Sequence, residues 1–542
     1  MRKVPVSSYK AFSQGDLKGW MREDLWSLLP ATFFEDPVFS VQKMGGNILK
    51  ESRLRWAAIV TLSNGKRIFL KKDNTKGWVE GVKYLVLPSK GRKEWFIAYQ
   101  LQGEDLCIPE PLGWMEKIHR GLVRESYYFS EAIGSGISLI EDPVKLEDSF
   151  IILEMARAVK KIHNAGLFHR DLHAGNFLWD DQSLYLIDLH SAKLVKALSL
   201  GQRLWNLALL FQSLRSVWED QRRSLFMDIY FEGESSHLLK KEELLQAIQS
   251  WMDRLQRRHW KSRTKRCLKE STEFCVEVEK GITYYRRRDF PLDVLKEMAK
   301  EHHRCRFEQS SRLLKFSPEV TVSILGRCGE KIGVKNYHPP KVRDRFKEHF
   351  RRSKGMRAWI SGNGLRARGF PALKPLGLLE KRGWLGLKES FLFMEVLEGA
   401  QELDRYIINK LGDLKERKIF IKRFAQWLSQ YHGKSLYHRD MKTCNILVSN
   451  DGETSNFYLL DLEDIRLDKN VDERDLFKNC LQLNTSAPKM ITTRDRFRFF
   501  RDYQALRPMV KNRKLFLRRL IDESKRRDLV YISPQGVVIE KL

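Results

Sequence analysis

Two short segments of the chain carry, at the same spacing, the residue types that phosphoryl transfer requires. Residues 169–176 and 438–445 both read H-R-D-x-x-x-x-N, and the second segment begins 269 residues after the first. Each is followed by an apolar stretch that ends in an aspartate, Asp188 or Asp461. A kinase catalytic loop and its metal-binding aspartate have this arrangement. The pattern therefore predicts phosphoryl transfer from a nucleotide, with the machinery present twice.

This chemistry gives each polar residue of the first segment a predicted role. Asp171 would accept or orient the proton of the attacking hydroxyl group, and Asn176 would fold back to bind a magnesium ion. Asp188 would bridge the metal and the phosphates. Mg²⁺ needs few protein ligands there, because phosphate oxygens complete its shell. The equivalent residues of the second segment are Asp440, Asn445 and Asp461.

The residue two positions after the predicted base differs between the two segments. His173 resembles small-molecule kinases, whereas Lys442 resembles protein kinases. Either side chain could neutralise the transferring phosphate, so both are predicted to act in catalysis. The histidines that open the loops, His169 and His438, are predicted to pack and to bond the backbone.

Elements upstream must supply a phosphate-binding lysine. Lys71 and Lys335 each end an apolar segment that resembles the V-A-I-K strand of kinases. Glu94 follows Lys71 by 23 residues and is placed to form an ion pair with it, but Ala358 stands at the same distance from Lys335. The second copy is therefore predicted to lack the usual ionic partner of its lysine.

An interlobe hinge is predicted after two aromatic-rich strands, where backbone groups near Glu131 and Glu395 would meet the adenine of ATP. Neither copy has a G-x-G-x-x-G loop, a D-F-G motif or an A-P-E segment. The short stretch after each metal-binding aspartate leaves no room for a peptide-docking segment. The pattern therefore favours a kinase of small or lipid-linked molecules.

Two further details of the repeat bear on its structure. Asn206 aligns with Asp475, and a buried aspartate there would brace the catalytic loop, so a less rigidly held loop is expected in the first copy. Strands at 274–279 and 282–287, joined by a Lys-Gly turn, are predicted to open the second copy. Their counterpart in the first copy is expected within residues 36–50.

The repeat predicts an α+β fold with two tandem protein-kinase-like domains, each a small β-rich N-lobe and a mainly helical C-lobe. We place the first domain at 1–240, a helical connection at 241–265, and the second domain at 266–542. Seven cysteines without a C-x-x-C pair suggest reduced thiols in a cytosolic setting. The start of the chain has no apolar signal core, and no apolar stretch is long enough to span a bilayer. A soluble or peripheral protein is expected.

The net charge of +29 predicts an anionic partner. Basic clusters lie at 254–266, 343–357 and 511–527. Anionic lipid headgroups or a phosphorylated substrate fit such a surface. No nucleic acid is expected, because no nucleic-acid fold signature accompanies the charge.

Several motifs together resemble the bacterial lipopolysaccharide kinases that phosphorylate Kdo or heptose of the inner core. They are the two lysine strands, the compact catalytic loops, the segment 369–376 after Trp359, and D-R-x-R-F-x-x-x-Y at 495–503. The resemblance implies a two-lobed kinase fold, ATP and Mg²⁺ as cofactors, and a sugar hydroxyl of the lipopolysaccharide core, or of another anionic lipid-linked sugar, as acceptor. It also implies action in the cytoplasm, at the anionic inner face of the cytoplasmic membrane.

Two other interpretations remain open at this level. One is a protein kinase, or a small-molecule kinase like those acting on aminoglycosides or choline. The other is a binding or scaffold protein in which at least one unit is a nucleotide-binding pseudokinase. Both copies keep the lysine, the base, the asparagine and the metal-binding aspartate, so both are predicted to bind Mg-ATP.

Overall fold

The computed structural model describes residues 8–104, 106–135, 137–233, 240–327, 329–338, 352–383, 386–451 and 454–541. The chain forms two compact units, residues 1–256 and 257–542. Within the described ranges, no helix has the length and apolar content needed to cross a membrane. The six cysteines in these ranges are free thiols; Cys328 and most of the basic cluster 343–357 lie outside them.

The first unit opens with a seven-stranded antiparallel sheet in the order β1-β2-β6-β7-β5-β4-β3. Its strands are β1 (Tyr9–Gln14), β2 (Leu17–Arg22), β3 (Asn47–Glu51), β4 (Arg55–Thr61), β5 (Arg67–Asn74), β6 (Pro111–His119) and β7 (Leu122–Glu131). One face buries Leu70, Met115 and Phe129 against Phe33 and Val41. Four helices accompany the sheet: α1 (Glu23–Trp26), α2 (Pro37–Lys43), α3 (Gly77–Lys83) and α4 (Lys90–Leu101).

The rest of the first unit is mainly helical. Its helices are α5 (Ser149–Asn164), α6 (Leu200–Ser213), α7 (Asp220–Tyr230) and the first turns of α8 (Lys241–Lys265). Four short strands carry the H-R-D loop and its surroundings: β8 (Leu167–His169), β9 (Phe177–Trp179), β10 (Leu184–Leu186) and β11 (Ala192–Leu194). The apolar faces of the helices meet in one core around Met155, Val159, Leu207, Phe211 and Phe226.

The sheet of the second unit has the same strand order as that of the first. This seven-stranded sheet runs β12-β13-β17-β18-β16-β15-β14, with β12 (Phe274–Glu279), β13 (Ile282–Arg287), β14 (Leu313–Phe316), β15 (Val320–Arg327), β16 (Glu330–Tyr337), β17 (Pro375–Gly383) and β18 (Gly386–Glu395). Helices α9 (Leu292–Phe307) and α10 (Lys354–Ala367) pack on this sheet. The predicted mixture of helix and sheet is confirmed.

Helices also dominate the remainder of the second unit. They are α11 (Leu403–Lys410), α12 (Leu414–Gly433), α13 (Glu473–Asn484), α14 (Thr493–Leu506) and α15 (Arg513–Lys525). The strands among them are β19 (Gln401–Glu402), β20 (Leu436–His438), β21 (Ile446–Asp451), β22 (Thr454–Leu459), β23 (Ile465–Leu467), β24 (Asp528–Ser533) and β25 (Gly536–Lys541).

The predicted opening hairpin of the second unit is present as β12 and β13, but its expected counterpart at 36–50 was wrong. Residues in that range form α2 and most of β3. The counterpart is the hairpin β1–β2, because β2 pairs with β6 as β13 pairs with β17. A similar length of chain separates each hairpin from the next strand of its sheet, 24 residues in the first unit and 25 in the second, so the spacing of the repeat points to β1–β2 and not to residues 36–50.

Equivalent glycines hold a helix close to the sheet in each unit. A Cβ atom on Gly91 in α4 would collide with the backbone carbonyl of Tyr127, and one on Gly355 in α10 would collide with the Ser390 hydroxyl. The Gly91 amide also donates to the Ser126 hydroxyl at 2.7 Å. Only the missing side chain permits this approach, and α4 is the helix that carries Glu94.

We predict that Gly91→Ala destabilises the first unit by about 2–3 kcal/mol, because a fixed backbone carbonyl must shift. Gly355→Ala should cost the second unit about 1–2 kcal/mol, because the Ser390 side chain can rotate away. Gly201→Ala is the control: Gly201 is helical and has open space around its Cβ position, so a small gain is expected. Urea unfolding measures all three, and equal effects at the three positions would contradict the packing explanation.

Candidate active sites

A buried, neutral histidine in each H-R-D loop holds the loop through hydrogen bonds to the backbone. In the first unit, His169 Nδ1 accepts the Asp171 amide at 3.3 Å, and Nε2 lies 3.3 Å from the Asp188 carbonyl oxygen. Burial lowers the pKa of His169 to about 4. In the second unit, His438 Nδ1 accepts the Asp440 amide at 3.1 Å, and its Nε2 lies 3.2 Å from the carbonyl of Leu460, the residue before Asp461. These contacts match the structural role expected of both histidines.

The asparagine of each loop folds back onto the predicted base. Asn176 Nδ2 donates to the Asp171 carbonyl at 2.7 Å, and Asn445 Nδ2 donates to the Asp440 carbonyl at 2.8 Å. Because the amide nitrogen bonds the loop, the amide oxygen is the atom that could bind a cation. Both asparagines are buried.

Lys71 lies buried between two carboxylates in the first unit. Its Nζ is 2.9 Å from Glu94 Oε2 on α4 and also contacts Asp188 Oδ1. The pair with Glu94 is the predicted one. Asp188 receives two further contacts, from His190 Nδ1 and from Arg55 at 3.4 Å. One ligand atom each of Glu94, Asp188 and His190 lies within 4.8 Å of the others, as a cation site requires.

The charges of this cluster determine which groups are ionised. Burial opposes ionisation of Asp188, but Lys71, then His190 and Arg55, outweigh burial and hold its pKa well below the usual range. Burial likewise opposes the charge on Lys71, yet Glu94 and Asp188 raise its pKa. Burial raises the pKa of Glu94 despite Lys71. Asp188 is therefore the more firmly ionised of the two carboxylates.

A cavity of about 430 Å³ collects the predicted site residues of the first unit. Its wall contains Lys71, Glu94, Glu131, Asp171, His173, Asn176 and Asp188. Apolar side chains complete it, among them Ala57, Ile133 and Leu178. The volume and the mixture of apolar walls with convergent polar groups are typical of small-molecule sites.

Glu131 and Glu395, the predicted hinge residues, end β7 and β18, and part of their backbone is already engaged in hydrogen bonds. The Glu131 amide donates to the Glu110 carbonyl at 2.9 Å, and the Ala132 amide donates to the Arg67 carbonyl at 3.1 Å. The Glu395 amide donates to the Lys374 carbonyl at 3.0 Å. An adenine would therefore have to use the Glu131 and Glu395 carbonyls or the residues that follow them.

The second unit gives its lysine a carboxylate that the sequence analysis missed. Lys335 Nζ lies 2.7 Å from Asp461 Oδ1 and 2.9 Å from Glu463 Oε1. Tyr337 donates its hydroxyl to Glu463 Oε2 at 3.0 Å. The helix position that Glu94 occupies in the first unit holds the fully buried Ala358 here, so the usual partner is absent, and the sequence analysis did not foresee that Glu463 supplies the second carboxylate.

Glu463 and His190 occupy equivalent positions, two residues after the metal-type aspartate. Both aspartates adopt the left-handed conformation, Asp188 with φ 64° and Asp461 with φ 46°. Each unit thus surrounds its lysine with two carboxylates. The sequence did contain a signal for this carboxylate. The second copy, whose helix has Ala358 in place of a glutamate, has an acidic residue, Glu463, two positions after Asp461.

The residues that follow the bases approach them from the loop. His173 Nε2 is 3.9 Å from Asp171 Oδ2, and Lys442 Nζ is 3.0 Å from Asp440 Oδ1. Both side chains are accessible to solvent. A nitrogen-bearing side chain thus lies beside the base in both loops, His173 in the first and Lys442 in the second.

The pairing of Asn206 with Asp475 was wrong. Asn206 Nδ2 donates to the His169 carbonyl at 2.6 Å, and Asn479 Nδ2 donates to the His438 carbonyl at 2.8 Å. Asp475 instead forms the capping box of α13, as Gln202 does in α6. The wrong pairing came from a change in spacing. Asn176 and Asp188 are 12 residues apart and Asn445 and Asp461 are 16 apart, because the hairpin β21–β22 is longer than β9–β10. Both loops therefore have the same asparagine brace.

A buried histidine completes each brace. His163 Nε2 lies 3.2 Å from Asn206 Oδ1, and its Nδ1 lies 2.6 Å from the Tyr230 hydroxyl. In the second unit His432 contacts Asn479 at 3.2 Å and Tyr503 at 2.7 Å in the same way. The histidine, asparagine and tyrosine tie three elements of each unit to the catalytic loop.

A β-rich sheet that carries a lysine, and a helical part that presents an H-R-D loop and a left-handed aspartate, together define a kinase-like phosphotransferase. The model of the lipopolysaccharide kinase (Kdo/WaaP) family matches residues 93–230 and 331–503, more than half of the chain. The chain belongs to this family. The family consists of phosphotransferases, so the prediction of a kinase is confirmed.

Individual proteins are similar over part of the chain. The lipopolysaccharide core heptose(I) kinase WaaP of Escherichia coli strain K12 is 27% identical over 241 residues, which cover 39% of this chain and 87% of that protein. A second Escherichia coli WaaP is 26% identical over 240 residues, covering 39% of this chain and 86% of that protein. A solved structure of WaaP in complex with acyl carrier protein is 21% identical, covers 42% of this chain and 96% of that chain, and has a TM-score of 0.30.

The buried histidines predict a loss of stability in acid. Burial lowers the pKa of His163 to about 3 and that of His432 to about 4, whereas an unfolded histidine binds a proton below about pH 6.5. The unfolded state therefore gains protons first as the pH falls. Each histidine should reduce the free energy of unfolding by up to about 1.4 kcal/mol per pH unit between about pH 6 and 4.

Urea unfolding at a series of pH values tests this prediction. His163→Gln and His432→Gln should each flatten the pH dependence of their own unit, whatever they do to its absolute stability. His259→Gln, at an exposed position in α8, should leave the slope unchanged. A slope that none of the three substitutions alters would show that other groups cause the acid sensitivity.

Proposed function

We propose that the chain is a tandem kinase that transfers the γ-phosphate of ATP to a sugar hydroxyl, of Kdo or heptose, in the lipopolysaccharide inner core. The observation that carries the proposal is that one cavity of the first unit is lined by all seven site residues that the sequence predicted there. In this proposal residues 1–240 and 266–542 are the two kinase-like domains, and residues 241–265 connect them.

The duplication has independent support from length. The Escherichia coli kinase is covered to 87% by only 39% of this chain, so one such protein corresponds in size to one unit. The two sheets share one strand order, and each unit has its own lysine, H-R-D loop and left-handed aspartate. These observations support a duplication in which one chain contains two complete sites.

The residues present fit Mg-ATP. The ammonium groups of Lys71 and Lys335 suit phosphate oxygens, and Asp188 and Asp461 would hold a magnesium ion. Asn176 and Asn445 offer an amide oxygen as a further ligand. When bound, magnesium would neutralise charge that develops on the phosphates, and the apolar wall around Ala57 and Leu178 would receive the adenine.

Transfer then needs an oriented acceptor. The sugar hydroxyl oxygen attacks the γ-phosphorus in line, the bond to the β-phosphate oxygen breaks, and the hydroxyl proton passes to Asp171 or Asp440. Lys442 lies beside Asp440, where its ammonium group would stabilise charge on the phosphoryl group. His173 lies beside Asp171, where it would do the same when protonated. The net charge of +29 would help to hold the anionic core and an anionic cytoplasmic membrane surface.

One observation favours a second possibility, in which the first unit binds nucleotide but turns over slowly. Besides Lys71, Arg55 from β4 lies 3.4 Å from Asp188 Oδ2, the carboxylate on which magnesium binding would depend. In the second unit Asp461 pairs with Lys335, the equivalent of Lys71, and no arginine among the described residues forms a salt bridge with it. The first unit would in that case regulate the second.

Substitution of the two bases separates these possibilities. Asp171→Asn and Asp440→Asn should each lower transfer of label from γ-³²P-ATP to purified lipid A-core, by about 10²–10⁴-fold at the altered site. The double variant should lose transfer while retaining ATP binding. Loss in one single variant alone would assign turnover to that unit, and no label with wild-type protein would contradict the proposed acceptor.

Glu463 offers a sharper test of the second site, carried out in the Asp171→Asn background. Glu463→Gln should raise the KM for ATP several-fold, because Lys335 loses one of its two carboxylates. Adding Ala358→Glu should restore much of the affinity by supplying the carboxylate from α10, as Glu94 does from α4. Glu308→Gln, at an exposed position in the same unit, is the control. An unchanged KM in Glu463→Gln would contradict the assigned role.

A further inference from the structure

Six large apolar side chains are exposed within ten residues of the first unit. Trp78 is 70% exposed and Val86 is 88% exposed. The others are Val79, Val82, Leu85 and Leu87, each more than two-fifths exposed. They lie on α3 and on the turn after it, which we call the 78–87 segment. Exposed apolar side chains concentrated in one short segment are typical of an interaction site.

The 78–87 segment is firmly held, and its polar side faces the protein. Glu80 accepts the Lys76 amide at 2.5 Å and the Tyr84 hydroxyl at 3.0 Å. Gly81 is buried, and a Cβ atom there would lie 3.5 Å from Leu122. The start of α3 is tied to β7, where the Thr75 hydroxyl donates to the Val123 carbonyl at 2.9 Å.

The usual amphipathic pattern is therefore reversed. A helix on a protein surface normally buries its apolar face and exposes its polar face. Here Glu80 and Tyr84 are partly buried while Trp78, Val79 and Val82 point outward. The segment gains nothing from this arrangement in water, so its apolar face fits an apolar environment outside the chain.

The charges around the patch identify that environment. Lys76 and Lys83 are exposed at the two ends of α3. The nearby carboxylate of Glu80 is engaged by hydrogen bonds and lies 3.7 Å from Lys90. Apolar residues with an exposed tryptophan, flanked by lysines, are the composition of elements that lie in a bilayer interface with anionic headgroups.

We propose that the 78–87 segment inserts its apolar side chains into the surface of an anionic lipid bilayer. Trp78 and Val86 would lie at the headgroup–acyl boundary, and Lys76 and Lys83 would contact lipid phosphates. This assignment deepens the membrane contact included in the proposed function by naming the surface that makes it. The membrane assignment rests on the proposed function only for which membrane the chain would meet. Vesicle binding itself can be measured without any sugar acceptor.

A matched pair of valines tests the proposal. Val86→Asp should weaken flotation of the full chain with phosphatidylcholine–phosphatidylglycerol vesicles by about tenfold, because a charge is disfavoured in the apolar layer. Val144→Asp places the same change at a valine of the same unit that is 81% exposed outside the segment, and it should alter binding by less than about twofold. Vesicles of phosphatidylcholine alone should bind the wild-type chain more weakly.

Brominated lipids give a second readout that does not depend on affinity. Fluorescence of the wild-type chain should be quenched by lipids brominated near the headgroup, and Trp78→Phe should remove much of the quenching while vesicle binding remains. Equal binding of wild type and Val86→Asp, or equal losses with both valine variants, would overturn the proposal. Self-association abolished by Val86→Asp, without vesicle binding, would instead assign the patch to a second copy of the chain.

Phosphate transfer to a delipidated core oligosaccharide keeps the two proposals apart. Val86→Asp should match wild type in this soluble assay, because the 78–87 segment contains no residue of either candidate site. Normal vesicle binding without transfer by any variant would contradict the proposed acceptor alone. Normal transfer with undiminished vesicle binding by Val86→Asp would contradict the membrane surface alone.

Discussion

The buried lysine ammonium is the constraint on which both sites depend. Lys71 is 5% exposed and Lys335 is 7% exposed, and a charge at such depth is costly unless opposite charges face it. Each unit meets this demand with two carboxylates. One is the left-handed aspartate, which brings the loop after the H-R-D segment against the sheet. The lysine is thereby held extended toward the place that phosphates would occupy, and the two parts of each unit are joined at that point.

The remaining polar contacts keep the aspartate and the base in fixed relation. His169 and His438 bond the backbone on both sides of their loops, and Asn206 and Asn479 bond the histidine carbonyls from a helix. These groups are buried and neutral, so they add rigidity without adding charge to the site. The ionised groups are left facing the cavity, where a nucleotide and a cation would use them.

The sequence identified those site residues that lie at short, fixed spacings along the chain. The H-R-D loops, their asparagines, the lysine strands and Glu94 lie within elements that local periodicity describes, and the structure brings those of the first unit to one cavity. One error arose where spacing changes between the copies, because four additional residues around β21–β22 moved Asn479 out of register with Asn206. The opening hairpin keeps its spacing, since β1–β2 and β12–β13 lie at nearly the same distance before Lys71 and Lys335. That hairpin joins the sheet through long-range pairing with β6, which a local window does not contain.

Glu463 shows why charge is a better guide to such a site than position. In the first unit the second carboxylate belongs to α4, so the lysine depends on close packing of that helix at Gly91. In the second unit both carboxylates, Asp461 and Glu463, belong to one short segment, and α10 instead buries Ala358 and Trp359 completely. The lysine of the second unit is consequently anchored without any charged contact to the helix. Movement of α4 would break an ion pair at the first site, whereas the ion pairs at the second site depend only on β16 and the segment that carries its aspartate.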